Sequence, residues 1–388
     1  MQSSFKIGRF LGVEVGVHWS WVFIFFIVTW IFATGVLEHF YPAWTDGQRW
    51  VVGGGVSALF FLSVLAHEMS HAVVSNRLGL PVKSITLFVF GGVANLTKEP
   101  ETPGDEFKIA IVGPATSLAA GAVFGAGWAV LRPFFDGAAG VAAQLALINV
   151  SLAVFNMLPG FPLDGGRVFR SIAWARTNSR LRATRLASNV GTWIAYGIMG
   201  LGIIYTFTIS LFSGLWFLLI GFFLRNASEA SYQQLVIETT LAGIPVGNVM
   251  RTSVETVTPV TTIDELVNDY VLGRNARCFA VMAGGDFAGL ITLTDVRKVP
   301  RDQWAAMSVY RAMTPASRLH TLDPSEDLVK ALELMSMHDV HQIPVVHGRE
   351  LLGMIDRGDL MRFIQVRRDL AEGEPQPPRS EPSTALRP

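Results

Sequence analysis

The sequence predicts a polytopic α-helical membrane protein, with about six transmembrane helices and a short membrane-associated β segment, followed by a soluble α/β pair of repeats. Three observations carry this. Half of the 388 residues are apolar and only 16% are charged, against about 25% in an average soluble domain. Almost all of the long apolar stretches fall within residues 1–226. Residues 245–366 read as ordinary soluble sequence that repeats once. The chain therefore divides into a membrane domain (1–226), a linker (227–244), two soluble modules (245–302 and 303–368) and a tail (369–388). The tail is rich in Pro, Glu and Ser and has too little to bury to fold.

A helix needs roughly 20 apolar residues to cross a bilayer. Six segments qualify, at 19–37, 50–75, 107–131, 141–160, 188–208 and 212–225. The last is short and is expected to tilt or to be partly re-entrant. The first exceeds the ~7–15-residue core of a signal peptide and lacks a clear cleavage site, so it reads as an anchor. With the N-terminus in the cytoplasm, Lys6, Arg9, Arg77, Lys83, Lys98, Arg167, Arg170, Arg176, Arg180, Arg182 and Arg185 lie inside. Only Arg49 and Arg132 then lie outside, as the positive-inside rule asks. Six spans return the soluble modules to the cytoplasm of a multi-pass cell-membrane protein, whose first partner is the lipid bilayer. The zero net charge offers no footprint for a nucleic acid. A single cysteine, Cys278, excludes an intramolecular disulfide. Gly121 and Gly125 stand four apart on the third span, which permits close helix contact or simply reflects the glycine content of membrane helices.

The second span contains "LAHEMSHAVV" at 65–74. His67 and His71 are i and i+4, so they share one helix face about one turn apart. Both imidazoles can bind one ion, and zinc suits them because it accepts histidine nitrogen and leaves a position open for water. Glu68 lies beside that face and can take a proton from the attacking water and pass it to a leaving amine. Core histidines on a packed helix would be the plain alternative. Burying Glu and His inside a span costs roughly 2–3 kcal/mol per charged group, which favours a functional reading.

Catalytic zinc usually has three protein ligands. His71 precedes Arg77 by six residues, which sets it roughly 9 Å below the inner surface. The fourth span runs inward too and ends in "NMLPGFPLDGGR" at 156–167, so Asp164 arrives at a comparable level. Pro159 and Pro162 break the helix, while Gly165 and Gly166 let the backbone turn. Asp164 reads as the third ligand or as a cap on the following helix, and its depth beside the first motif favours the ligand.

"HEMSH" within a span, with "NMLPGFPLDGGR" at the end of a later one, resembles the site-2 protease family of intramembrane zinc metalloproteases over about residues 5–226. The resemblance implies one zinc per chain held by His67, His71 and Asp164, with Glu68 as the base. It also implies that Asn156 helps hold the substrate backbone. "GPATSL" at 113–118 resembles a further family segment and reads as a packing element. The β-branched and aromatic "ITLFVFGGVANL" at 85–96, broken by Gly91 and Gly92, reads as a short hairpin or strand near the membrane surface. A helical substrate must unwind before water reaches its carbonyls, and an unwound strand needs an edge to pair with. In the similar family this segment, with Gly91 and Gly92, supplies that edge; an interfacial loop is the alternative. His18 reads as an interface residue.

Residues 245–299 and 308–366 align at a period of about 64. Each unit gives a helical pattern, then two short apolar strands, then an Asp suited to cap a helix. The units resemble CBS modules, which pair and often bind adenine nucleotides. The resemblance implies that Thr292 contacts phosphate and that Asp295 and Asp359 hold ribose hydroxyls. Asp356 stands where the second hydroxyl belongs and would repel a phosphate, and Ala280 stands where the other unit has Pro344. A structural or homodimerising role for the pair, with Asp295 and Asp359 as caps, weighs equally with nucleotide sensing.

The combined expectation is a protease that cuts within or next to a transmembrane helix of a membrane-protein substrate, such as a membrane-bound regulator of the anti-sigma-factor kind. The CBS pair would tune it from the cytoplasm. A CBS-regulated channel or transporter would need a polar path across the full bilayer, yet the buried ionisable groups cluster at one level. An inactive scaffold would be expected to have lost Glu68 or a ligand, and all four are present.

Overall fold

The computed structural model describes residues 5–372 apart from 90, 97, 98, 274 and 275. Lys98 and residues 373–388 of the expected tail therefore lie outside the described residues. The chain divides into two units, Met1–Leu235 and Val236–Pro388.

Among the described residues six helices are long and apolar enough to cross a membrane, at Trp19–Phe40, Asp46–Arg77, Pro103–Leu131, Asp136–Asn156, Arg180–Thr208 and Leu211–Leu241. They match the six expected spans, and most run further because polar residues extend their ends. The second starts at a capping box, in which Thr45 accepts from the Gln48 N–H and Gln48 reaches back to the Thr45 N–H. The third has Thr102 as N-cap and Pro103 in its first turn, where a missing N–H costs nothing. His18 is the N-cap of the first span and accepts from the Ser20 N–H. Gly121 lets the third span press on the fourth, since a Cβ there would stand 3.0 Å from Val150 Cγ2; at Gly125 contact is ordinary. The sixth helix is not short, and the stretch read as a linker is helical as far as Leu241. Good helix formers fill it, and Gly243 with φ +75° follows its end.

Two strands were not expected from the sequence. β1 (Phe5–Phe10) and β2 (Val13–Val17) form a hairpin turned by Leu11 and Gly12, both at positive φ. β3 (Val82–Phe88) pairs in parallel with β2, and β4 (Gly91–Leu96) pairs antiparallel with β3. The segment read as a hairpin is thus half of a four-stranded sheet in the order β1-β2-β3-β4. Val13, Val17, Val82, Ile85 and Leu87 bury one face of the sheet against Val64 and Ala72 of the second span. This packing brings β4, an edge strand, alongside the helix turn that carries Glu68.

The second unit holds two similar halves. One sheet runs β5 (Thr256–Val257), β6 (Cys278–Ala283), β7 (Asp286–Thr292) and β8 (Thr314–Pro315). In the other half β9 (Gln342–His347) pairs antiparallel with β10 (Glu350–Asp356), and Leu322 bridges in parallel to Val345. Each half is completed by the segment that precedes the other. Thr314 pairs with Leu290, and Arg251 pairs with Met354. Separate apolar cores fill the halves, around Phe279, Val281 and Ile291 in the first and around Met335, Ile343 and Ile355 in the second.

Candidate metal centre

His67 and His71 project from one face of the second span, and both are buried. Facing them is Asp164, the first residue of a short helix, Asp164–Thr177, that follows the fourth span. The N-cap is the residue before it, Leu163, and the Asp164 carboxylate is turned to the histidines. Asp164 Oδ2 lies 3.0 Å from His67 Nε2 and 3.3 Å from His71 Nε2. The two Nε2 atoms are 3.3 Å apart. Three donors spaced in this way match edges of a tetrahedron whose centre is about 2.0 Å from each corner, the usual Zn–N and Zn–O length. The donor set, two imidazoles and one carboxylate, fits zinc with one position open.

The bend before Asp164 is held by backbone contact that only glycine permits. A Cβ on Gly165 would stand 2.3 Å from the Met157 carbonyl, and one on Gly166 would stand 2.3 Å from the Gly160 carbonyl carbon. Gly160 in turn rests on Gly191 of the fifth span.

The third span supplies the second layer of the site. His71 Nδ1 is 2.6 Å from the Ile109 carbonyl oxygen, an acceptor only, so Nδ1 carries the proton and donates. His67 Nδ1 is 2.9 Å from Ser117 Oγ. Both rings are thereby oriented with Nε2 toward Asp164. Between these contacts Gly113 leaves the room the donors occupy: a Cβ there would be 2.2 Å from His71 Nε2 and 2.7 Å from His67 Nε2. Ile109, Gly113 and Ser117 were missed as site residues, although "GPATSL" was noted as packing. Their i, i+4, i+8 spacing on one helix face repeats the four-residue spacing of the histidines and was the available signal.

Glu68 lies against β4. The Gly92 backbone N–H hydrogen-bonds to its carboxylate, and a Cβ on Gly92 would be 2.5 Å from Glu68 Cγ. Gly91 opens the strand at φ +129°, a conformation that glycine tolerates. Asn156 closes the fourth span, with Nδ2 donating to the Leu152 carbonyl at 3.1 Å.

In the second unit, Thr292 and Asp295 form a capping box, with Thr292 Oγ1 donating to Asp295 Oδ2 at 2.8 Å. Asp295 also pairs with Lys298 at 3.0 Å. A cavity of about 310 Å³ is lined by Asp295 together with Lys298, Arg311 and Arg318. In the other half Asp356 and Asp359 cap one another's backbone in the same way. There Arg251 pairs with both carboxylates, and Arg362 pairs with Asp359. The carboxylate at 356 is thus neutralised from within the chain. Asp295 and Asp359 each stand three residues into such a box and accept from the backbone N–H of Thr292 and Asp356 respectively.

The chain matches the profile of Peptidase family M50 over residues 55–135 and 134–198, and that of the CBS domain over residues 246–302 and 309–366. It is 34% identical over 379 residues to Rip3 of Mycobacterium tuberculosis, named as a zinc metalloprotease, covering 97% of this chain and 96% of the relative. It is 30% identical over 374 residues to sll0528 of Synechocystis, named likewise, covering 94% and 96%. Among solved structures, the site-2 protease from Methanocaldococcus jannaschii aligns at 26% identity over 59% of this chain and 94% of its own, with a TM-score of 0.42. By the family profile and the relatives that cover nearly its whole length, the chain belongs to peptidase family M50, the zinc metalloproteases, as a multi-pass membrane member that carries two CBS domains.

Proposed function

We propose that His67, His71 and Asp164 hold one zinc ion per chain and that Glu68 is the proton carrier of peptide-bond hydrolysis. The substrate is a peptide bond within or next to a transmembrane helix of another membrane protein. The observation that carries this reading is the mutual spacing of the three donors, 3.0 to 3.3 Å, beside a carboxylate turned to a strand edge. When bound, zinc supplies the positive charge that acidifies water and polarises the scissile carbonyl. Glu68 accepts a proton from the attacking water and returns it to the departing amine nitrogen. The Gly92 N–H holds Glu68 in place. β4, through Gly91 and Gly92, offers the edge on which an unwound substrate segment pairs, and Asn156 helps hold that segment.

The N-terminus and the CBS pair face the cytoplasm in this reading, following the Lys and Arg distribution. The cavity lined by Asp295 takes an adenine nucleotide, with Lys298, Arg311 and Arg318 suited to its phosphates. Calorimetry with ATP, ADP and AMP tests this arm, and heat from none of them removes it.

The central test uses the full-length protein in detergent or liposomes with a tagged transmembrane substrate. Glu68→Gln keeps nearly the same volume but cannot take up a proton. It should retain zinc and the melting temperature while cleavage falls about 10²-fold or more. Cleavage at the wild-type rate would refute the mechanism. Separately, wild-type zinc content in His67→Ala/His71→Ala would refute the metal centre.

A further inference from the structure

We propose that a buried ion pair, Glu106 with Arg170, positions Asp164 against the two histidines. The inference rests on the reading of Asp164 as the third metal ligand and concerns groups outside the donor set.

Glu106 lies near the start of the third span and is fully buried. Arg170 lies on the short helix that Asp164 begins, and is buried as well. Arg170 Nε donates to Glu106 Oε1 at 2.6 Å, and a second guanidinium nitrogen pairs with the same oxygen. The guanidinium also sits over the Phe161 ring, 4.9 Å from its centroid. Phe161 belongs to the bend that leads into Asp164. Arg170 thus ties the chain on both sides of Asp164, the bend before it and the helix after it, to one carboxylate of the third span.

That span is also the one that orients the histidines. Glu106, Ile109, Gly113 and Ser117 are all buried or half-buried along the same contact face. Asp164 and Arg170 are six residues apart, about 9 Å along a helix axis; Glu106 and Gly113 are seven apart, about 10 Å. The short helix therefore meets the third span at two rungs of matching separation. At one rung Asp164 meets the histidines over Gly113. At the other Arg170 meets Glu106. A helix held at two separated rungs cannot slide along the third span, so the pair helps set how far along that span the Asp164 carboxylate stands.

Two apolar side chains would hold the helices together without the desolvation that a buried charge pair carries. A directional ion pair fixes register, which a metal centre needs to within a few tenths of an ångström.

The test uses full-length protein carrying Glu106→Gln, Arg170→Lys, or the double change Glu106→Leu/Arg170→Met, which replaces the pair with packed apolar groups. Zinc affinity is measured by chelator competition, ligand geometry by the visible spectrum of the cobalt-substituted protein, and folding by the metal-free melting temperature. We expect each variant to lose 10- to 100-fold in zinc affinity, the range for groups behind the ligands, with shifted cobalt bands. Arg170→Lys should retain more affinity than the others, and the double variant should keep the melting temperature. A folded double variant with wild-type affinity and spectrum would overturn the proposal. So would a loss of affinity that tracks a loss of melting temperature in all three. Wild-type zinc content in His67→Ala/His71→Ala would instead show that the metal reading itself had failed, and the proposal with it.

Discussion

Gly113→Ala should empty the metal centre while leaving the fold intact. The added Cβ would stand 2.2 Å from His71 Nε2, 2.6 Å from His71 Cε1 and 2.7 Å from His67 Nε2, where contacts under 3.0 Å essentially never occur. At least about 0.8 Å of movement is needed, whereas metal-donor distances tolerate about 0.2 Å. The atoms in the way are the far ends of two imidazoles. They can swing aside at small cost to the fold, but only by leaving Asp164. Loss of alignment at both histidines should cost at least the 10- to 100-fold in zinc affinity seen when groups behind a ligand are altered. In a helix interior Ala is favoured over Gly by about 0.5–1 kcal/mol, but Gly113 precedes Pro114 within the helix and a Cβ there also meets the proline ring, so the gain is offset and the melting temperature should stay near the wild-type value. Gly127→Ala on the same span is the control, because its Cβ would meet nothing closer than Ala142 Cβ at 4.0 Å. Zinc content, chelator competition and melting temperature are measured side by side. Wild-type zinc affinity in Gly113→Ala would refute the packing argument, as would an equal loss in Gly127→Ala.

Gly92→Ala should lower cleavage about 10²-fold with zinc retained, because a Cβ 2.5 Å from Glu68 Cγ displaces the carboxylate but not the histidines; an undiminished rate would count against Glu68 as the base. Ser117→Ala removes the oxygen 2.9 Å from His67 Nδ1 and should weaken zinc binding 10- to 100-fold by competition titration. Burial, aided by the Asp295 carboxylate, pushes the Cys278 thiol up to about 12 from 9.0. The thiolate fraction near pH 8 should then be about 10³-fold below that of the unfolded chain, so alkylation of the native protein should be slower by a similar factor. Because the folded state holds this proton more tightly, the associated stability is complete below pH 9 and is lost as pH rises toward 12.

The spans were legible because a bilayer demands a length of apolar chain that no other structure needs. Their ends were less so, since capping by Thr45 and Thr102 extends helices through polar residues that hydropathy discounts. β1 and β2 left no such trace. "FKIGRFLGVEVGV" mixes charge and glycine with its apolar residues, and what fixes it is a parallel partner, Ser84–Leu87, some seventy residues on. Non-local pairing of that kind has no local period to read. The stretch after residue 226, read as a linker, is helical as far as Leu241, because its Ala, Glu, Gln and Leu are good helix formers.

The same division runs through the site. His67, Glu68, His71 and Asp164 stood out because the proposed ion binding constrains residue type and spacing at once, and the fold does bring the donors His67, His71 and Asp164 together. What holds them was not, because the holding groups act by backbone or by absence. Ile109 contributes a carbonyl that any residue would carry. Gly92 and Gly113 contribute the lack of a Cβ, which in sequence is indistinguishable from the glycine that membrane helices use for packing. Asp356 was read as a defect in the nucleotide pocket because its partner, Arg251, stands more than a hundred residues earlier. A carboxylate alone there would repel phosphate, but paired with Arg251 it is neutral. The obstacle in that half is therefore a closed ion pair rather than an excess of negative charge. Charge complementarity across swapped segments becomes visible only once Arg251 and Met354 are known to share a strand pairing.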